Sequence, residues 1–99
     1  MKIEILDEAE ADLIEGFHFY ERQETGLGWY FLDSLFSDID SLFLYAGTHN
    51  VVHGYHRCLA KRFPFAVYYL VEGGIIRVYA VLDCRRHPAW TRKRLKTSG

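Results

Sequence analysis

Six cations fall within twelve residues near the end of the chain: Arg85, Arg86, Arg92, Lys93, Arg94 and Lys96, with His87 and Trp90 among them. Side chains of this kind hold anions, and a large aromatic beside them can stack on a base or anchor a protein partner. Arg57, Lys61, Arg62 and Arg77 add positive charge upstream. One chemistry open to such a set is metal-independent RNA cleavage. It needs a base for the 2′-hydroxyl, an acid for the leaving 5′-oxygen and cations around the charged phosphorane. Arg57, Lys61, Arg77, Arg85 and Arg86 would supply the cations, and His87 or His56 the proton transfer. The plainer account leaves Arg57, Lys61 and Arg62 on the solvent face of a sheet, and spacing alone slightly favours it.

Metal binding has less to stand on. His49, His53, His56, Cys58, Cys84 and His87 are all ligand types, but no C-x2-C pair or H-E-x-x-H motif brings four of them together. No metal or other cofactor is expected. Cys84 lies beside Arg85 and Arg86, which favour a thiolate, yet nothing arranges a histidine next to it as a nucleophile requires. Two cysteines in a chain that opens without a secretion signal read as free thiols.

The elements that must position these groups can be read from periodicity. Lys2–Leu6 alternates as a short strand, and Asp7 with Glu10 resembles a capping box that starts a helix. Leu13, Phe17 and Tyr20, widened by Ala9 and Ile14, form its apolar stripe, and Thr25-Gly26-Leu27-Gly28 ends it. A second helix is predicted from Trp29 to about Ala46, its stripe being Leu32, Leu35, Phe36, Ile39, Leu42 and Phe43. Gly47-Thr48-His49-Asn50 opens a loop. Strands follow at Tyr55–Phe63, interrupted by Pro64, at Phe65–Val71 and at Ile75–Leu82, with a Glu72-Gly73-Gly74 hairpin turn between the last two. On the last strand, Ile76, Val78, Ala80 and Leu82 are expected to meet the helical hairpin, while Ile75, Arg77, Tyr79 and Val81 border a groove. A short basic helix runs from Pro88 to about Lys96. The expected architecture is α+β: an N-terminal strand, a helical hairpin, a three-stranded antiparallel meander and a basic C-terminal segment.

With 99 residues, 49% hydrophobic and 16% aromatic, the chain can build one modest core, so residues 1–99 are expected to form a single domain. Its longest apolar runs are far short of the ~20 residues that cross a bilayer, so no membrane partner is expected and the location is read as cytoplasmic. The net charge of −1 conceals a split. Residues 1–50 carry two basic and eleven acidic side chains, whereas residues 51–99 carry ten basic and two acidic. An anionic partner for the second half follows from that field.

The run FPFAVYYLVEGGIIRVYAVLDCRRHPAW resembles the RelE/ParE superfamily of toxins from bacterial type II toxin–antitoxin systems, on its ParE-like or plasmid stabilization side. Ala9-Glu10, Tyr20-Glu21 and Gly26-Leu27-Gly28 are similar to that family's first helix and turn. Arg62-Phe63-Pro64-Phe65 with Tyr69 looks like its R-F-P-Y/F-x-x-x-Y strand, and Arg85-Arg86 before Pro88 and Trp90 like its closing R-R-x-P-x-W/Y segment. The resemblance implies a toxin neutralised by a cognate antitoxin. ParE-like members poison DNA gyrase, whereas RelE-like members cleave mRNA on the ribosome. The positions where the ribonucleases carry basic residues correspond here to His56, Cys58 and Phe65, which favours gyrase over the ribosome and mRNA, with Arg85, Arg86, Trp90, Arg92 and Arg94 as target-binding residues. Asp83 stands where many ParE-like chains have His, a departure that bears on the target. A binding module without toxicity on the same fold is the remaining alternative.

Overall fold

Ile3 and Ile5 alternate with charged neighbours in the short first strand, and everything after it is organised around where that strand docks. The computed structural model of the chain describes residues 1–98, with side chains as far as Thr97; Gly99, the last residue of the expected domain, lies outside. The elements run β1 (Lys2–Ile5), α1 (Asp7–Gln23), α2 (Leu27–Asp40), α3 (Leu42–Tyr45), β2 (Val51–Val52), β3 (Tyr55–Leu59), β4 (Phe65–Glu72), β5 (Ile75–Asp83) and α4 (Pro88–Ser98). One five-stranded sheet has the order β1-β5-β4-β3-β2. The expected meander is β3–β4–β5, fully antiparallel, and β1 pairs parallel to β5 at the sheet's edge.

The helix starts differ from the sequence expectation for local reasons. Asp7 is not the cap of α1: Leu6 holds that position, its C=O accepting the Glu10 N–H at 3.0 Å while its N–H is still tied to Val78 C=O at 3.0 Å, and its apolar side chain makes no capping hydrogen bond. Asp7, Glu8 and Glu10 lie in the first turn, where carboxylates meet the positive end of the helix dipole. Helix α2 begins at Leu27, two residues before Trp29. The Glu21 carboxylate reaches across from α1 and accepts the N–H groups of Gly26 (3.0 Å) and Gly28 (2.9 Å), which would otherwise be orphans. Gly28 also lets the helices approach: a Cβ there would sit 2.6 Å from the Phe17 carbonyl oxygen.

The second helix breaks at Ser41, whose hydroxyl turns back to the Asp38 carbonyl oxygen, leaving α3 as a single turn. Its inward stripe is Phe31, Leu35, Ile39 and Leu42, all buried. Phe36 and Phe43, expected inside, are exposed, as is Ile14 on α1. The four-residue steps from Phe31 to Ile39 rotate the buried face away from them. The strand expected over Tyr55–Phe63 stops at Leu59. Val51–Val52, which periodicity missed, pairs back on it through a His53-Gly54 turn at φ 53° and 85°, the positive pair that two-residue hairpins need.

Strand β5 carries the main correction. Tyr69 pairs with Val78 and Tyr68 with Ala80, so Tyr79 is an extra residue, a β-bulge. A one-residue insertion swaps the faces of everything beyond it. Ile76 and Val78 therefore pack under the helices as expected, but Val81 joins them, while Ala80 and Leu82 face the opposite side. The first core comprises Leu13, Tyr20, Phe31, Leu35 and Ile39 over Phe65, Val67, Tyr69, Ile76, Val78 and Val81. The second is Tyr55, Ala66, Tyr68, Ala80 and Leu82, closed by Leu95 of α4.

Candidate functional site

The end of β5 turns directly into α4, and that turn is built by its own side chains. Asp83 accepts the Arg85 backbone N–H at 2.8 Å and grips its guanidinium with both oxygens, at 3.0 Å from Nε and 2.7 Å from Nη2. That bidentate bond holds the Asp83 carboxyl below its usual range. The acid that departs from the resembled family's pattern thus serves to fix Arg85. Cys84 donates its N–H to Pro64 C=O at 2.8 Å, tying the turn to the β3–β4 loop. His87 Nδ1 accepts the Ala89 N–H at 3.0 Å and caps α4.

Arg86 and Trp90 meet as one helical turn would bring them. The Arg86 Cζ lies 4.2 Å from the Trp90 ring centroid, and its Nη2 is 3.7 Å from Glu15 Oε1 on α1. Together they border a cleft of about 290 Å³ between α1 and the end of β5, lined also by Phe19, Phe65 and Leu82. A guanidinium stacked on an indole beside an apolar cleft offers both an anion contact and an anchor for a partner's side chain.

Beneath the cleft, Asp12 shapes the floor. Its Oδ2 accepts the Val81 N–H at 3.0 Å, beyond the point where β1 stops pairing with β5, and takes Arg94 Nη2 at 2.7 Å. Burial raises the carboxyl to about 6, against the opposing pull of the Val81 N–H and Arg94. Sequence reasoning missed Asp12, Glu15 and Phe19. Their spacing puts them on one side of α1, but the two acids read as solvated and Phe19 lies outside the apolar stripe.

The other expected site residues fall into three groups. Arg57 reaches from β3 to Cys84 Sγ at 3.8 Å and to the Tyr68 hydroxyl, so it approaches the same turn. Lys61 and Arg62 are exposed on the adjacent loop, which Asp38, a buried carboxylate, holds by accepting the Lys61 N–H at 3.2 Å. Arg92 is exposed on α4. Arg94 faces inward, engaged with Asp12 and with Glu8 at 3.8 Å, so it docks the helix. Arg77 lies near the opposite end of β5, between Glu4 and Glu72 at 3.4 Å each. The structure therefore brings together Arg57, Arg85, Arg86, His87 and Trp90, and leaves Arg77 out.

The histidines form a separate arrangement. The Tyr69 hydroxyl accepts the Gly47 N–H at 3.0 Å and bonds His49 Nδ1, while His56 Nδ1 donates to the His49 carbonyl oxygen at 2.8 Å. Burial, with His56 nearby, lowers the His49 pKa. Among the described residues no three His, Cys, Asp or Glu side chains are grouped as a metal site. None of their helices is long and apolar enough to cross a membrane.

No family model matches the chain, and no curated protein sequence matches it. Its backbone is similar to a solved chain of the "Chromosomal ParDE TA system from P. aeruginosa", with a TM-score of 0.71 and 20% identity over 82% of this chain and 92% of that one. The fold is ParE-like. The α1–α2 hairpin, the antiparallel strands and the N-terminal strand all belong to this ParE-like architecture.

Proposed function

We propose that this chain is the toxin of a type II toxin–antitoxin pair, held inactive by a cognate antitoxin, and that it inhibits growth through DNA gyrase. The ParE-like fold supports the general role, since the similar structure is a ParDE TA system. The target-binding surface is the corner formed by Arg86 and Trp90, with Arg85 fixed beside it and Arg92 exposed further along α4. Arg94 belongs to the docking of α4.

The observation that favours gyrase over mRNA is that ribonuclease candidates are already engaged by other groups of the fold. Arg77 is held by two glutamates away from the turn, Arg85 is gripped by Asp83, and His87 Nδ1 is engaged as a helix cap. A metal-free ribonuclease needs its cations and proton carriers converging on one phosphate.

Induced expression with separate readouts of DNA breaks and mRNA cuts tests this reading. Arrested growth with DNA breaks and intact ribosome-bound mRNA is expected. Arg86→Ala and Trp90→Ala should each relieve the arrest, with the unfolding midpoint within a few degrees, because both residues are exposed. Codon-positioned mRNA cuts lost in Arg86→Ala would make the protein a ribonuclease, and unimpaired growth would make it a non-toxic module.

A further inference from the structure

The 46–50 loop between α3 and β2 is fastened to the sheet largely by side chains. Its Gly47 N–H donates to the Tyr69 hydroxyl at 3.0 Å, and the same hydroxyl meets His49 Nδ1. His56, the cross-strand partner of Tyr69, stacks on the tyrosine ring and sends its Nδ1–H to the His49 carbonyl oxygen at 2.8 Å. One backbone bond joins them, the Arg57 N–H to Asn50 C=O at 2.9 Å. Donors and acceptors around Tyr69 fit in one arrangement. Tyr69 is fully buried, and the backbone N–H groups of Gly47 and His49 both approach its hydroxyl oxygen. A hydroxyl has two lone pairs and one proton, so that proton goes to His49 Nδ1. His49 is thereby held as the neutral tautomer with its own proton on Nε2.

We propose that His49 and Tyr69 form a proton-operated fastener: a proton on His49 Nδ1 releases the loop from β4 and unseats β2 behind it. With Nδ1 protonated, two donors face each other and the oxygen has no lone pair left for the new one. The ring must turn away, and the loop then keeps only its ties through His56 and Arg57. His56 does not respond in the same way, because its Nδ1 donates in either charge state. The titratable groups around His49 are Tyr69 from β4 and His56 and Cys58 from β3, with the Arg57 head turned away toward Cys84 and Tyr68. On the other side α3 offers Tyr45, which is exposed, and β2 only valines. Burial and the neighbouring His56 both disfavour a charged ring and lower its pKa from the ordinary 6.5. A histidine kept neutral by the fold contributes stability that is present above its ordinary range and lost as pH falls below it. Acid is therefore the releasing condition. β2 is a two-residue strand at the end of the sheet, so its release leaves the β3 edge open along its whole length. The fastener belongs to the free chain, whatever its target.

The test is amide hydrogen exchange on the isolated chain at about pH 7.5 and about pH 5, corrected for the intrinsic pH dependence of exchange. Protection of the Gly47 N–H and of the Arg57 N–H should fall about tenfold or more in acid, while Leu35 and Ile39 of α2 keep theirs. The fall should track the titration of the His49 ring, followed by its own NMR signal. His49→Asn places an oxygen acceptor that cannot ionise where Nδ1 stood, and should hold the loop equally at both pH values. Tyr69→Phe should lower Gly47 protection at neutral pH as well, and its His49 ring should titrate closer to 6.5. If Tyr69→Phe fails to fold, His49→Asn decides. Unchanged protection in acid overturns the proposal, and so does a loss shared equally by α2. A pH response that survives in His49→Asn assigns the release to another group and overturns it too.

Discussion

The two faces of the sheet are covered by very different means. On one, α1 and α2 lay Leu13, Tyr20, Phe31, Leu35 and Ile39 on Phe65, Val67, Tyr69, Ile76, Val78 and Val81, with Tyr20 and Phe31 in ring contact with each other and with Phe63 and Phe65. On the other, α4 contributes a single buried apolar side chain, Leu95, assisted by the Tyr55 hydroxyl on its carbonyl oxygen (3.3 Å) and by Arg94 on Asp12. The first covering is held by apolar area and the second by one apolar anchor, a hydrogen bond and the ion pairs of Arg94. The residues proposed to meet the target sit on α4 and the turn before it, so that proposal puts function on the part of the fold with the least packing behind it.

The sharpest way to break this contrast is to thin the heavy face. Leu35→Ala or Ile39→Ala should cost ~2–5 kcal/mol in chemical denaturation, because each side chain is fully enclosed and the neighbouring rings cannot collapse into the gap. The loss should appear in every probe at once, since the helical core is the cooperative unit. Near-native stability in either variant would mean that the hairpin does not dominate the fold.

Leu95→Ala addresses the other face, with a smaller expected effect. Removing the one anchor should cost about 2 kcal/mol, the lower end for a buried leucine, because α4 can lift away and leave no cavity behind. Hydrogen exchange should then rise across α4 while amides of α2 stay protected. Equal exposure of both helices would show that α4 is part of the main cooperative core.

How much of this was legible in the sequence depended on which physical signal each residue carried. The hairpin and the meander showed through periodicity, since apolar spacing is set by the same burial that holds the elements. The face assignment on β5 was wrong beyond Tyr79, because a bulge leaves the alternation of Ala80, Val81 and Leu82 unchanged in the sequence, all three being apolar. Phe36 and Phe43 read as core because hydrophobicity alone does not reveal exposure. In the site, the Arg86–Trp90 spacing was readable as one helical turn. Asp12, Glu15 and Phe19 were not, because their role comes from α1 crossing the end of β5, a contact 69 residues apart for Asp12 and Val81.

The last expected effect, no larger than that of Leu95→Ala, tests the ion pair that latches α4. Asp12 titrates near 6 when folded, above its ordinary 3.8, because burial outweighs the Val81 N–H and Arg94. A carboxyl raised on folding holds its proton more tightly in the folded state, so stability from this group is fully present below about pH 4. It is lost as pH rises through about 6. Asp12→Asn keeps an oxygen for the Val81 N–H but cannot ionise. Between pH 4 and pH 7 the unmutated protein should therefore lose about 2 kcal/mol of unfolding free energy relative to Asp12→Asn, from roughly 1.4 kcal/mol per pKa unit and a partly wet site. The mutant's own cost, Arg94 left beside a neutral amide, is the same at both pH values and drops out of the difference. Parallel pH profiles for the two proteins would mean that Arg94 fully compensates the buried charge. The latch would then be as firm at neutral pH as in acid, and the contrast between the two faces would rest on Leu95 alone.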